Sequence, residues 1–381
     1  MRSSPLLLAA AALAAGPKPA VFVEHVIAAD LKGGYQVVAA DMNKDGKPDL
    51  IALASGMKEL VWYQNPGWQR HVIAGDFNRM INLAAFDIDG DGIPEIVLAH
   101  EFANQARNSV GIVSLLKYQG AQLDTWKATE IDRIPTSHRL RWADIQGNGR
   151  KVLVNAPLTG AKAAPPDYRD RTPLVIYSPE AWIRRNLPEE NEGVVHGIYI
   201  YDWDGDGRED ILTASFQGIH LFRQGPDGQW TKTQLAQGDP APWPKSGSSD
   251  LAVGRLRKAR YIAAIEPWHG HQVAVYRERR NVWQRQVIDS SLDSAHTILT
   301  ADLNGDGDDE VIAGFRGKGR GVYLYYAADK KGERWTRQVL DNGGMAASAC
   351  TAVDLNGDGR IDIACIGSAT ANLKWYENRA R

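Results

Sequence analysis

The sequence lacks an excess of charge, a helical periodicity and any long internal hydrophobic run. Its 44 Lys and Arg residues nearly balance 46 Asp and Glu residues, which gives a formal net charge of −2 at pH 7. Such a chain has no positive field to attract nucleic acid, so we expect no nucleic-acid partner. No long stretch has the 3.6-residue period of an amphipathic helix, which argues against a helical fold. Beyond the N-terminal region no apolar segment is long enough to cross a bilayer, so we expect no membrane span in the mature chain.

The N-terminal region carries the one apolar run, and it predicts export. Arg2 precedes an apolar stretch at residues 5–15 that ends near the small residues Ala12 and Ala14. This pattern is typical of a secretory signal peptide at residues 1–15, and the run is too short to favour the alternative of a membrane anchor. We therefore expect a secreted or periplasmic protein with one mature domain at residues 20–381.

An acidic nine-residue loop, D-x-[DN]-x-D-G-x-x-[DE], occurs five times. Alternate side chains of such a loop bring hard oxygen ligands to one point, and its glycine permits the sharp turn, as a Ca²⁺ ion requires. We therefore predict five calcium sites. Their ligands are Asp41, Asn43, Asp45 and Asp49; Asp87, Asp89, Asp91 and Glu95; Asp202, Asp204, Asp206 and Asp210; Asp302, Asn304, Asp306 and Glu310; and Asp354, Asn356, Asp358 and Asp362.

The spacing of these loops predicts seven repeats. Two gaps of double length each hold a degenerate copy: Asp144 begins one that has Val152 in place of the closing acid, and the copy near Gly254 has lost its acids. The resulting units of about 46 to 58 residues have the length of propeller blades or solenoid repeats.

A second periodic motif decides between an open solenoid and a closed ring. A Trp followed five residues later by Ile or Leu ends six units, as in Trp68 and Ile73, but the last unit has none. The missing copy lies at the other end of the chain, in residues 22–27, so the N-terminal strand completes the last blade and leaves no open sheet edge. We predict an all-β fold, a seven-bladed β-propeller of four-stranded antiparallel blades whose ring is closed by the N-terminal strand.

The only two cysteines, Cys350 and Cys365, fall on the first and second predicted strands of the last blade. An export compartment permits a disulfide between them, and two buried thiols are the alternative. The sequence leaves the choice open.

The acidic loops between apolar strands, as at residues 38–52 and 299–313, resemble the FG-GAP or VCBS repeat family. The resemblance covers nearly the whole mature chain and implies the propeller fold. It does not imply one activity, because such repeats occur in adhesion proteins, lectin-like modules and enzymes.

Three histidines occupy one structural position. Counting back six residues from the first acid of each loop gives Tyr35, Ile81, His138, His196, His296 and Ser348. This position lies at the start of the innermost strand, beside the ring axis and on the face opposite the acidic loops. His138, His196 and His296 are therefore expected to converge on Zn²⁺ or another transition metal, with one coordination position left for water or substrate. Hydrogen bonding of each histidine to a neighbouring blade is the alternative.

Further polar and aromatic groups are predicted on the same face. Glu266 and His271 are candidate acid or base groups, and they lie in the unit that has lost its acidic loop. The alternative for Glu266 is a salt bridge to an arginine. The alternative for His269 and His271 is that they are loop residues without a catalytic role. Five residues are candidates for contact with a sugar, and they come from the ends of strands and from two long rim loops. They are Tyr168, Arg169, Trp243, Trp268 and Arg316.

With this face in view the chain resembles the propeller domain of the aldos-2-ulose dehydratase family. The resemblance implies a metal at His138, His196 and His296, matched by position and not by a short motif, and elimination of water from a keto-sugar or a related lyase reaction. The chain lacks the family's region after the propeller, so a reaction step carried there is not implied. The alternative is a non-catalytic module that binds carbohydrate or protein; a quinone-dependent redox propeller is disfavoured because no adjacent cysteines are present.

Overall fold

The computed structural model describes residues 18–120 and 125–380, so the predicted signal peptide lies outside the described residues. The regular secondary structure of the described part is almost entirely β-strand. Its one helical element is a three-residue 3₁₀ turn at Ala106–Asn108, and no helix in it has the length and apolar character needed to span a bilayer. The strands, in chain order, are β1 (Phe22–Ala28), β2 (Gly34–Ala40), β3 (Asp49–Ala54), β4 (Leu60–Gln64), β5 (Gln69–Ala74), β6 (Asn82–Phe86), β7 (Glu95–His100), β8 (Ile112–Tyr118), β9 (Trp126–Arg133), β10 (Ser137–Ala143), β11 (Val152–Pro157), β12 (Arg171–Thr172), β13 (Val175–Tyr177), β14 (Arg184–Asn186), β15 (Asn191–Glu192), β16 (Val195–Tyr201), β17 (Asp210–Ser215), β18 (Gly218–Gln224), β19 (Trp230–Ala236), β20 (Asp250–Leu256), β21 (Ala259–Glu266), β22 (Gln272–Arg279), β23 (Val282–Asp289), β24 (Ala295–Ala301), β25 (Glu310–Phe315), β26 (Gly321–Ala327), β27 (Trp335–Asn342), β28 (Ala347–Val353), β29 (Asp362–Gly367) and β30 (Leu373–Asn378).

These strands form seven four-stranded antiparallel sheets, which confirms the predicted propeller. Blades one to six follow the chain: β2–β5, β6–β9, then β10, β11, β13 and β14, then β16–β19, β20–β23 and β24–β27. The first strands of neighbouring blades pack on one another around the ring axis.

The seventh blade closes the ring as predicted. It contains β28, β29 and β30, and β1 from the N-terminal end adds the outermost strand, with Phe22 opposite Asn378 and Val26 opposite Lys374. The His25 ring stacks on Trp375 with 4.6 Å between centroids. Closure of this kind pairs the ends of the chain and leaves no gap between the first and last blades.

Burial explains the strand sequences. Second strands such as β3 and β25 are buried along their whole length, because the faces of each blade are covered by its two neighbours, and they read as continuous apolar runs. Fourth strands such as β9 lie at the rim and are exposed along much of their length. Apolar clusters between neighbouring blades, such as the one that joins blades five and six, form the core.

Two features go beyond the repeat. The rim insertion of blade three contributes β12, which pairs with β15 just before blade four in a separate two-stranded sheet. In blade seven, Cys350 and Cys365 face each other across β28 and β29 and form a disulfide, which settles the choice that the sequence left open.

Candidate functional site

The five acidic loops share one hydrogen-bonded turn. In each loop the glycine N–H donates to the first aspartate at 2.8–3.0 Å, from Gly46 to Asp41 in blade one and likewise in the other four. The degenerate loop of blade three keeps this turn, with Gly149 donating to Asp144 at 2.6 Å. The turn therefore forms without the closing acid, and the closing acid has a separate role.

The closing acid of each complete loop is buried at the start of the second strand. It accepts a hydrogen bond of 2.8–3.1 Å from the backbone N–H that follows the first aspartate, as Asp49 does from Met42. Burial and then the neighbouring loop carboxylates raise the pKa of Asp49 and Asp210 to about 6 and that of Glu310 to about 8. A cation bound in the loop would relieve this repulsion. The carboxylate oxygens of Asp87, Asp89 and Asp91, and of Asp202, Asp204 and Asp206, already lie within 4.8 Å of one another.

The two incomplete loops are held by their neighbours. The Asp144 N–H donates to Glu209 in the loop of blade four at 2.6 Å. In blade five, Arg255 donates its N–H to Asp309 of blade six at 2.7 Å. Contacts between blades thus fix the chain where the loop has lost its acids.

A β-bulge aims the side chains that face the ring axis. His138, His196 and His296 are the second residues of β10, β16 and β24, and in each strand the pairing skips that residue. Tyr35 and Ser348 are skipped in the same way in β2 and β28. Because a bulge re-aims the side chain of the extra residue, these positions turn toward the axis of the ring.

The structure brings three histidines close enough to share a metal ion, and one of them differs from the prediction. His196, His269 and His296 each offer a nitrogen, and these atoms lie within 4.8 Å of one another. The Nε2 atoms of His196 and His269 are 3.1 Å apart. His196 and His296 were expected here; His269 replaces His138 in the group.

Backbone carbonyls fix two of the three imidazoles. The Nδ1–H of His296 donates to the Ser348 carbonyl at 2.6 Å, and that of His196 donates to the Ser249 carbonyl at 3.1 Å. With the proton held on Nδ1, the Nε2 lone pair faces the cluster, an arrangement typical of metal-binding histidines. Burial, followed by nearby cations, holds the pKa of both rings well below its usual value, so both are neutral.

His138 lies beside this group with its ring nitrogen in another contact. Its ring centroid is 4.9 Å from that of His196. Its Nε2 accepts a hydrogen bond from Arg139 at 2.9 Å and lies 3.1 Å from the Tyr35 hydroxyl. The lone pair that was predicted to bind a metal is thus directed at a guanidinium group.

His269 reaches the axis from the loop between β21 and β22. It lies in the left-handed region, with φ of 47°, and its backbone N–H donates to the Ser249 hydroxyl at 3.2 Å. Burial lowers the pKa of His269 to about 3. The signal that could have identified it is the Glu266 to His271 turn in the one unit without loop acids, where Glu266 and His271 were predicted as functional groups instead.

The histidines separate a surface cavity from the central channel. The cavity, about 370 Å³, is lined by His138, His196 and His269 together with Tyr35, Trp268 and Arg316. The channel, about 170 Å³, is lined by His296 and Tyr35 together with Arg139, Arg141 and Asp250. The cavity is within the size range of small-molecule sites.

Of the five predicted sugar contacts, Trp268 and Arg316 line this cavity. Tyr168 packs edge-on against Trp268 at 5.6 Å between centroids, and Trp243 packs against Phe216 in the same apolar cluster, so both support the wall without lining it. Arg169 stacks over Trp243 at 4.4 Å and lines a separate, polar cavity.

Glu266 and His271, the predicted acid or base groups, do not line the cavity. Glu266 is 0 % exposed, and its carboxylate accepts hydrogen bonds from Ser248, Tyr276 and Arg285. This is the salt-bridge alternative, and it fixes the strand that precedes the His269 loop. His271 is exposed at the surface.

Comparisons with known proteins agree with this architecture. The family described as "Aldos-2-ulose dehydratase, beta-propeller domain" matches residues 110–279, and the FG-GAP-like repeat family matches residues 41–98 and 302–365. Aldos-2-ulose dehydratase of Phanerodontia chrysosporium is 26% identical over 294 residues, which cover 67% of this chain and 32% of that protein. The chain thus spans about a third of the length of this relative.

Solved structures show the same fold at low identity. BBS1N in complex with ARL6DN matches with a TM-score of 0.58 and 13% identity, over 93% of this chain and 94% of that one. The Dos1 propeller matches with a TM-score of 0.54 and 8% identity, over 90% and 78% of the two chains. The chain is therefore a seven-bladed propeller with FG-GAP-like repeats that resembles the propeller domain of aldos-2-ulose dehydratase.

Proposed function

We propose that this protein is a metal-dependent dehydratase or lyase that acts on a carbohydrate bearing a carbonyl group. The observation that carries the proposal is the group formed by His196, His269 and His296 between the surface cavity and the central channel. The relative that covers two thirds of this chain is a dehydratase of an aldosulose by its name, which supports a sugar as substrate.

The three nitrogens suit a transition metal such as Zn²⁺. For bonds of about 2.0–2.1 Å, two ligands of a tetrahedral ion are about 3.3 Å apart, close to the 3.1 Å between His196 and His269. All three imidazoles are neutral, as metal binding requires, and two have carbonyl acceptors for the other nitrogen. Such an ion would polarise the substrate carbonyl and acidify the adjacent C–H.

The residues of the cavity supply the other roles. Trp268 offers a face for a sugar ring, and Arg316 offers N–H donors for oxygen atoms. With the three histidines assigned to the metal, Tyr35 and His138 are the remaining acid–base groups of the cavity lining, and 3.1 Å separates the Tyr35 oxygen from His138 Nε2.

We assign proton transfer to this pair in place of Glu266 and His271. The Tyr35 oxygen takes the proton next to the carbonyl while its own proton passes to His138 Nε2, which gives up its hydrogen bond from Arg139. The electron pair of the broken C–H bond forms the new double bond, and the β-hydroxyl leaves. A proton returned through the same pair converts that hydroxyl to water, so the pair ends the reaction unchanged.

The proposal includes Ca²⁺ in the five acidic loops and export of the chain. The loops supply the oxygen ligands that calcium prefers, and calcium outside the cytoplasm is abundant enough to fill sites of modest affinity. Export rests on the predicted signal peptide at residues 1–15.

The first test measures bound metal and turnover together. Elemental analysis of protein purified without chelator should find one transition metal ion per chain. His269→Ala should abolish it, whereas His271→Ala, two positions away and exposed, should retain it. Incubation with keto-sugars should produce the ultraviolet absorbance of an unsaturated ketone, and His269→Ala should lower that rate by at least 100-fold, in line with the share that acid–base and metal groups contribute.

Calcium without any transition metal in the parent protein would contradict the proposal. If the protein also bound sugars, and kept that affinity in a His196→Ala, His269→Ala double variant, the non-catalytic binding module would be the better description.

A further inference from the structure

Three guanidinium groups surround the histidines without an acidic partner. Arg139 and Arg141 line the channel and Arg316 lines the cavity. Within the described ranges, no Asp or Glu oxygen lies within the 4.0 Å of an ion pair with any of them. By contrast, Arg79 at the rim of the same cavity is paired with Glu101 at 2.5 Å.

The contacts that these arginines do make are with neutral groups. Arg139 donates to His138 Nε2 at 2.9 Å, and Arg141 donates to the Leu140 carbonyl at 2.8 Å. Arg316 lies 3.4 Å from His269 Nε2. Arg139 is only 6 % exposed, so water does little to screen its charge. Buried charges are normally paired, so a buried guanidinium beside two half-buried ones, with no ion pair from the described residues to any of them, is unusual.

One carboxylate lines the channel beside them, but a single negative charge does not neutralise three guanidinium groups. Asp250 faces the channel with Arg139 and Arg141, but Arg316 lies in the cavity, on the other side of the histidines. A divalent ion held by those histidines would add further positive charge. The site as a whole therefore has an excess of positive charge.

We infer that the ligand of this cavity is a sugar derivative that carries an anionic group, a carboxylate or a phosphate, which Arg316 binds. This inference rests on the proposed function, because it takes the cavity as the sugar site, and it names the class of substrate. The guanidinium fork matches either anion with two parallel hydrogen bonds, and the unpaired cations behind it strengthen the attraction. A neutral sugar would leave Arg316 without a charged partner.

Calorimetric binding at pH 7 tests this inference with three probes of similar size: gluconate, glucose 6-phosphate and the neutral 1,5-anhydroglucitol. We expect at least one anionic probe to bind at least 10-fold more tightly than the neutral one. Arg316→Gln should remove that preference. Arg79→Gln is the matched control, because its charge is already paired with Glu101, and it should change the preference less than threefold.

The comparison of the two anions identifies the preferred group. Equal or tighter binding of 1,5-anhydroglucitol by the parent protein would overturn the inference, and this measurement does not depend on whether any variant folds. An anion preference that survives Arg316→Gln would also overturn it. Because no turnover is measured, loss of the proposed catalysis with a retained preference for anions would contradict the proposed function alone.

Discussion

In the five blades whose first strand is bulged, the bulged residue decides what the blade presents to the ring axis. Three blades present histidine there, blade one presents Tyr35 and blade seven presents Ser348. The Tyr35 hydroxyl lies within 3.3 Å of both His138 and His296, so a single side chain links groups from blades three and six. A change at one such position therefore alters the chemistry of the whole site.

Another set of single residues ties neighbouring blades together at the rim. Three aspartates directly follow the Ile or Leu of the Trp motif, and each accepts a hydrogen bond from a tyrosine on the third strand of the next blade. The pairs are Asp132 with Tyr177 at 2.6 Å, Asp289 with Tyr325 at 2.9 Å and Asp341 with Tyr376 at 2.9 Å. The tyrosine hydroxyl is otherwise buried between blades, so the aspartate satisfies it.

Asp289 should make stability depend on pH. Burial acts to raise its pKa, but hydrogen bonds from Ser291, Tyr325 and Arg337 outweigh burial and hold the pKa below its usual value. A lowered folded-state pKa stabilises the protein above the unfolded pKa of about 3.9, and the contribution is lost as the pH falls through the folded-state pKa. Asp289→Asn should lower the free energy of unfolding by about 1–3 kcal/mol at pH 7.

Urea unfolding at pH 7 and at about pH 3 checks this. The difference between the parent protein and Asp289→Asn should shrink at the lower pH, which lies below the unfolded-state pKa and closer to the lowered folded-state pKa. Asp76→Asn, at an exposed position, is the control and should change little at either pH. A difference for Asp289→Asn that is the same at both pH values would show that its charge does not matter.

The acidic loop is an element with two separable parts. The glycine-to-aspartate turn persists in blade three although the closing acid is Val152 there, so the turn is a property of the local backbone. The closing acid belongs to the second strand. Its burial near other carboxylates raises the free energy of the complete loop when no cation is bound. We therefore expect calcium binding to require both parts.

Calcium should raise the stability of the chain through these loops. An ion present at 100 times its dissociation constant stabilises the folded state by about 2.7 kcal/mol per site. Addition of a chelator should lower the melting temperature, and calcium in excess should restore it. Asp306→Asn, in the complete loop of blade six, should reduce the calcium-dependent part of that shift.

Asp144→Asn in the incomplete loop of blade three is the matched control. It should leave the calcium-dependent part unchanged, even if the melting temperature itself falls. Equal effects of the two variants on the calcium response would show that the closing acid is not needed for binding.

The ring as a whole creates the site and depends on its closure. The cavity and channel draw residues from all seven blades, so the blades must keep their angular positions for the histidines to meet. That angular order is held where β1 joins β30, between the two ends of the chain. Opening this junction would free a sheet edge and let the blades separate.

Removal of residues up to 28 should therefore destabilise the protein. The junction has six registered residue pairs, and each cross-strand pair contributes about 0.2–1 kcal/mol. The free energy of unfolding should fall by roughly 1–6 kcal/mol, and size-exclusion chromatography should show association through the exposed β30 edge. A chain that begins at residue 20 keeps β1 and is the control; equal stability of the two chains would show that closure contributes nothing.

The sequence alone determined the number of blades, their four-stranded form and the closing role of the N-terminal strand. These follow from signals that lie close together along the chain: acidic turns, Trp motifs and apolar runs that each fix one blade, repeated until the ring is complete. The sequence also placed His196 and His296 at equivalent positions, because both lie six residues before the first acid of their loops.

Only the tertiary structure decided which groups meet at the axis. His269 enters through a loop whose path depends on a left-handed backbone conformation, and His138 turns its nitrogen to Arg139. The Glu266 carboxylate accepts hydrogen bonds from Arg285 and Tyr276. The distances between these groups depend on side-chain directions in loops and bulges of separate blades, and no periodic pattern along the chain encodes them.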